Sequence, residues 1–148
     1  MKQIIVLGIG NRLMRDDAIG IYIVEKLKEQ DTTDNIRYVI GETDIDYCLD
    51  EIKEADFIVI VDAAKTGGSP GNVTVLPLDK SAYTTTPGLS CHNLHLFDMI
   101  GYFNKDLNGI LVGITVSEIS YGIGLSRILH DKFSDILNKV QSIIKEPF

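Results

Sequence analysis

The stretch Gly8-Ile9-Gly10-Asn11-Arg12-Leu13-Met14-Arg15-Asp16-Asp17-Ala18-Ile19-Gly20 constrains this chain more than any other part of it. A short β-branched run, Ile4-Ile5-Val6-Leu7, precedes it and reads as a buried strand. After it, Ile19, Ile23 and Leu27 recur at helical spacing with Val24 beside them, forming one apolar helical face. The stretch is therefore a strand, a glycine loop and a helix in succession, with two acids at the mouth of the helix. Gly8 and Gly10 match the first two glycines of a dinucleotide-binding loop, but Leu13 stands where the third belongs. Asp16 and Asp17 occupy the helix end that a phosphate would need, and the helix dipole favours a carboxylate there for the same reason. No nucleotide is expected. Asp16 reads as a cap for its own helix, and Asp17 as an acid whose partners lie elsewhere in the chain.

The chain of 148 residues is long enough for one domain, 1–148, with a full-sized core. No apolar run approaches a membrane span, and Met1-Lys2-Gln3 leads straight into a strand, leaving no room for a signal peptide. Cys48 and Cys91 lack a CxxC spacing, which argues against a disulfide framework or structural zinc and fits a reducing cytoplasm. The net charge of −7 repels nucleic acid and anionic membranes, so neither is expected as a partner.

Further along, Arg37-Tyr38-Val39-Ile40 reads as a second strand ending at Gly41, and Tyr47, Leu49 and Ile52 suggest a short helix. Phe57-Ile58-Val59-Ile60-Val61 is apolar on both faces, as a central strand must be, and it ends in Asp62. Asn72 to Leu76 reads as an edge strand, and Pro77 to Ser90 as a long irregular segment of the kind that is usually functional or mobile. A helix opening at Cys91-His92 follows, with Leu96, Met99, Ile100 and Phe103 on one face, then a buried strand over Ile110 to Val116. Leu125 to Ile144 steps by threes and fours as a closing helix. Strands alternating with helices predict a three-layer α/β fold, a mainly parallel sheet with helices on both faces.

In such sheets ligands bind outside the carboxyl ends of the strands, near the point where strand order reverses. Asp17 follows the first strand, Asp62 ends the third, and His92 opens the helix after the edge strand. A 2-1-3 strand order makes the first and third strands neighbours, so the two acids face each other within reach of the histidine's helix. Two carboxylates and an imidazole suit a divalent metal such as nickel, manganese, iron or zinc, with open positions for water. Taken singly, Asp62 reads equally as a turn cap and His92 as a helix-start residue. His95 lacks the intervening glutamate of a HExxH motif and reads as packing or surface; His130 reads as helix surface. Cys91 and His92 are chain neighbours that point to opposite faces of an extended segment, and no GxSxG is present, so nucleophilic catalysis is not expected.

The opening motif, Val61-Asp62-Ala63 with Pro70-Gly71 downstream, Ser90-Cys91-His92-Asn93-Leu94, and Val112-Gly113-Ile114 with Gly122-Ile123-Gly124-Leu125-Ser126 together resemble the hydrogenase maturation endopeptidases, in family order over nearly the whole chain. The resemblance implies a twisted five-stranded sheet between helices. It implies an aspartyl-type endopeptidase that removes the C-terminal extension of a nickel-iron hydrogenase large-subunit precursor. It also implies that nickel is bound by Asp17, Asp62 and His92 and is carried in by the substrate. The family often has Glu where Asp17 stands, and neighbouring Asp16 is an alternative ligand. Many members carry an acid and then Gly-Gly-Thr after the second strand; here the turn is Gly41-Glu42-Thr43, which the resemblance implies in substrate selection, with Asp16 nearby. Nickel would polarise the scissile carbonyl, activate a water, or only position the peptide. The competing readings are a non-proteolytic metal-binding module and a nucleotide-binding α/β module.

Overall fold

An apolar run covered on both faces becomes a central strand, and two such runs lie side by side in this fold. The computed structural model describes residues 2–78, 90–91, 99 and 108–146. β1 (Ile4–Ile9) is buried throughout, and β3 (Phe57–Lys65) is buried at every position but its last. A 3-10 turn (Arg15–Ala18) leads into α1 (Ile19–Gln30), followed by β2 (Ile36–Glu42) and α2 (Ile45–Glu51). After β3 come β4 (Val73–Pro77), the short β5 (Ser90–Cys91), β6 (Gly109–Thr115) and α3 (Arg127–Lys145). The five main strands run in the order β2-β1-β3-β6-β4. All neighbours are parallel except β4, which pairs antiparallel with β6 at the edge. The sheet is thus the mostly parallel, five-stranded α/β sheet expected, including the 2-1-3 order. Its strand order reverses between β1 and β3.

Side-chain alternation sorts the core into two layers. Val6 and Val59 face Ile23 and Leu27 of α1 and Leu129 and Val140 of α3. Leu7 and Ile60 face the other way, toward Cys48 of α2 and Ile52 at its C-cap. Burial pushes the free Cys48 thiol up to about 11, with Asp44 adding to the effect. Close approach of α1 to the sheet depends on glycines. A Cβ at Gly20 would lie 2.2 Å from the Val61 carbonyl oxygen, and one at Gly8 would lie 2.8 Å from that of Gly20.

Most strand limits differ from expectation by a residue or so, Cys91 lies in strand β5 where a helix is expected to open, and two boundaries bear on the site. β3 does not end at Asp62 but continues to Lys65, because its pairing with β6 runs on to Ala64↔Thr115. α3 begins at Arg127 with Ser126 as its N-cap, so Leu125 precedes the helix. Residues 79–89 of the Pro77–Ser90 segment, the helix expected after Cys91 apart from Met99, His92 and His95 lie outside the described residues. No helix among the described residues is long and apolar enough to cross a membrane.

Asp31 closes the far end of α1. It accepts hydrogen bonds from Tyr38 Oη, Thr33 N (3.1 Å), Thr33 Oγ1 (2.6 Å) and Lys145 Nζ (2.7 Å), tying α1 to β2 and to the last turn of α3. Burial alone would raise its carboxyl, but the bonds from Lys145, Thr33 and Tyr38 outweigh it and hold the group well below the usual carboxylate range. A depressed folded pKa contributes stability that is present above the ordinary carboxylate value near 4 and is lost as pH falls through the folded value. Asp31→Asn is therefore expected to lower the melting temperature at neutral pH and to flatten the acid limb of the stability curve. Melting curves of both proteins from about pH 7 down to about pH 2 test this window. Parallel acid limbs would assign the acid sensitivity to other groups.

Candidate active site

The site grows out of a gap in the sheet. β1 pairs with β3 only as far as Gly8↔Val61, while β6 occupies the opposite edge of β3 through Ala64. The edge that β1 leaves is taken up by β5, whose Cys91 pairs antiparallel with Ala64. Asp62 sits between these two pairings and is fully buried. It lies on the same face of β3 as Ile60, one alternation further on, and its Oδ1 accepts the Ala63 N–H at 2.8 Å.

Asp17 approaches from the other strand. The chain leaves β1 through Gly10, at φ +145°, where a Cβ would stand 2.1 Å from the Asp17 carbonyl oxygen. Only glycine lets the 3-10 turn fold back this tightly over the end of β1. Asp17 is the third residue of that turn, 2% exposed, and its Oδ2 accepts the Asn11 N–H at 2.8 Å. The turn packs against β3 as well as α1. Both acids therefore stand at the carboxyl side of neighbouring strands, where the sheet reverses its order. His92, the third expected member, lies outside the described residues; the backbone of Cys91, before it in sequence, is the part of that segment that pairs with β3. Among the described residues no three of His, Cys, Asp and Glu gather as a metal-binding group.

Asp16 does different work from its neighbour. Met14 holds the N-cap position of the turn, without a side-chain cap bond, so Asp16 does not cap its own helix. Its carboxylate is fully buried and points across to the loop between β6 and α3. The N–H groups of Ser117 (3.0 Å) and Glu118 (2.8 Å) and the Ser126 hydroxyl (2.8 Å) donate to Oδ2, and the Ser126 N–H donates to Oδ1 (2.7 Å). The backbones of the two loops are also joined directly. Arg15 N–H donates to Gly122 O (3.0 Å), Gly122 N–H to Leu13 O (2.8 Å) and Asp16 N–H to Glu118 O (3.2 Å).

The Gly41-Glu42-Thr43 turn divides in two. Gly41 is buried in a β-bulge opposite Gly8 and Ile9, where a Cβ would lie 2.4 Å from Cys48 Sγ. Glu42 and Thr43 are exposed. Glu42 has a positive φ of 53°, and its carbonyl accepts the Gly10 N–H at 3.1 Å. Arg12, to which sequence patterning assigns no role, fixes this turn to the motif loop. Its guanidinium grips both oxygens of Glu25 (3.0 and 3.1 Å) and pairs with Glu42, and these bonds raise its pKa further. Ser126 and Gly122 were likewise without an assigned role; the visible signal was a serine directly before a long amphipathic helix. His130 is on the helix surface, as expected.

Fold and site define a doubly wound α/β protein with two buried acids at its switch point. The family model HycI, hydrogenase maturation protease, matches residues 21–143. The chain is 30% identical to the hydrogenase 2 maturation protease of Escherichia coli K12, over 97% of this chain and 92% of that protein. Its structure is similar to the hydrogenase maturating endopeptidase HybD from E. coli, with a TM-score of 0.79 and 28% identity over 97% of this chain and 92% of that one. HybD from Thermococcus kodakarensis shares the fold at 20% identity, with a TM-score of 0.77 over 97% and 99% of the two chains. This chain belongs to the hydrogenase maturation protease family and is a peptidase.

The Asp16 clamp is expected to dominate local stability. Asp16→Ala leaves three backbone N–H groups of the β6–α3 loop without their acceptor, at a cost of about 3 kcal/mol or more, whereas Ser126→Ala removes one hydroxyl and costs about 1 kcal/mol. Urea unfolding of both variants measures the order; equal losses would contradict the clamp.

Proposed function

We propose that this peptidase removes the C-terminal extension from the large-subunit precursor of a nickel-iron hydrogenase after nickel has been inserted, and that Asp17, Asp62 and His92 hold the substrate's nickel. The observation that carries the reading is the placement of two buried carboxylates on adjacent strands at the switch point of a chain of this family. Asp17 is preferred to Asp16 as the metal-facing acid, because both Asp16 oxygens already accept hydrogen bonds from the β6–α3 loop.

Two carboxylates and one imidazole are a donor set that suits a divalent first-row metal. Nickel, arriving as part of the substrate, supplies Lewis acidity toward the peptide carbonyl or a water. The chain's own residues supply anionic charge and position. Gly10 and the Asn11 N–H fix Asp17, and the pairing of β3 with β6, Asp62 opposite Gly113, fixes Asp62. Exposed Glu42, held by Arg12, and Thr43 beside it form the rim beside the entry and contact the precursor; Gly41 shapes the turn from below. The buried free thiol of Cys48 fits action in the reducing cytoplasm.

Asp62→Asn keeps the side-chain shape but removes the charge that holds a dication. It and His92→Ala are each expected to abolish processing while the melting temperature stays close to wild type. Unchanged processing in either variant counts against the assigned site. Matched precursors with and without nickel test the gating directly. The nickel-loaded form is expected to shorten on a gel, and the nickel-free form and casein to stay intact. Equal cleavage of all three would make this an ordinary protease.

A further inference from the structure

We infer that Leu13, Tyr121 and Ile123 form a docking ridge for the folded body of the protein substrate, an apolar hollow with a charged rim. The inference rests on the proposed function for the identity of that partner. Tyr121 is 81% exposed, Ile123 76% and Leu13 46%. Single exposed apolar side chains are ordinary on protein surfaces, but these three are gathered on two loops that are bonded together. The parallel bridge between Met14 and Gly122 sets Leu13 beside Tyr121 and Arg15 beside Ile123. Gly122 between the two large side chains donates to Leu13 O and accepts from Arg15 N, and a Cβ on it would stand 2.8 Å from the Arg15 guanidinium. The ridge is therefore held in place before any partner arrives, which lowers the ordering cost of binding.

Two further observations select the occupant. The loop that carries Leu13 also carries Asp17, and Asp17 and Asp62 are too deeply buried for anything but an extended segment to reach them. The folded body from which such a segment emerges must halt at the rim, where the ridge stands. The border of the ridge is of mixed charge. Among the described residues Arg15 faces Glu118 at 3.8 Å and Arg127 faces Asp131 at 4.0 Å, both long pairs, and Arg127 projects into solvent. An apolar centre with a charged border fits an apolar hollow with a charged rim of its own.

The test pairs binding with processing. Immobilised wild-type protein and the Tyr121→Ser/Ile123→Ser double variant are titrated with the nickel-loaded precursor by interferometry, and KM and kcat for processing are measured alongside. The double variant is expected to keep its melting temperature, since both side chains are exposed. Its Kd and KM are expected to rise about tenfold or more, with kcat within about twofold of wild type. Arg127→Glu is expected to weaken binding at low salt and less so at high salt. Val75→Ser, exposed on edge strand β4, is the control and binds as wild type. Wild-type Kd and KM in the folded double variant overturn the ridge. A concentration-dependent dimer of the wild type that the double substitution dissolves also overturns it, assigning the ridge to a second copy of this chain. If wild type binds the precursor, the double variant does not, and neither cleaves it, the ridge stands and the processing reading falls.

Discussion

The carboxylate of Asp16 is the interaction on which the site depends. Two irregular loops, far apart in sequence, meet beside the sheet, and each brings backbone N–H groups that have no ladder or helix to enter. Unpaired and buried, such groups are costly, and so is a buried carboxylate. Here each meets the other's need. Three N–H groups and one hydroxyl converge on one carboxylate, in charge-assisted hydrogen bonds that are stronger than neutral ones. Ser126 is also the N-cap of α3, so the positive end of that helix adds to the stabilisation of the anion. The next residue in the chain is Asp17. One acid thus builds the wall from which its neighbour is presented.

The sheet supplies the other half. β1 stops pairing with β3 at Gly8 while β3 runs on to Lys65, and this inequality of length sets the gap between β1 and β5. Asp62 falls in the gap, with β6 on one side and β5 just beyond on the other. Glycine at positions 8, 10 and 20 is what allows α1 and its preceding turn to press against this gap, since a side chain at any of them would meet backbone atoms within 3 Å. The glycine spacing that imitates a nucleotide loop has a packing cause in this chain.

The fold was legible in the sequence to the extent that burial leaves a periodic trace. β1, β3 and β6 are covered on both faces and read as unbroken apolar runs; α1 and α3 are covered on one and read as stripes. From sequence Asp62 reads as the end of its strand because Ala63, Ala64 and Lys65 carry little strand propensity of their own. Pairing with β6 and β5 extends the strand, and that is tertiary information. Asp16 reads as a local cap because a nearby helix start is the only signal a short window holds, whereas its partners lie about a hundred residues away. Gly41 looked like part of a recognition turn, yet its lack of a side chain makes room for Cys48. Asp17 and Asp62 are singled out by a topological rule that needs only strand ends and a strand order, and the structure places both on neighbouring strands. His92 stands outside the described residues, so its part rests on resemblance and on the β5 pairing that precedes it.

In the proposed reading, recognition is divided between two places that differ in physics. The rim contributes apolar contact, which is indifferent to whether the precursor holds nickel. The crevice contributes charge, which is not. Docking of the folded body confines the adjoining tail to a small volume, so its local concentration at the crevice becomes high regardless of its intrinsic affinity. Two buried carboxylates disfavour a neutral or anionic segment and favour one that carries a dication, so retention at the crevice is decided by the metal. Binding energy realised only with the loaded substrate then goes into assembling the reacting geometry rather than into uniform affinity. A rigid wall serves this division well. Because the Asp16 clamp fixes Asp17 before the substrate arrives, the metal has to fit the carboxylates and cannot remodel them, and completeness of the substrate's own centre becomes the condition for cleavage.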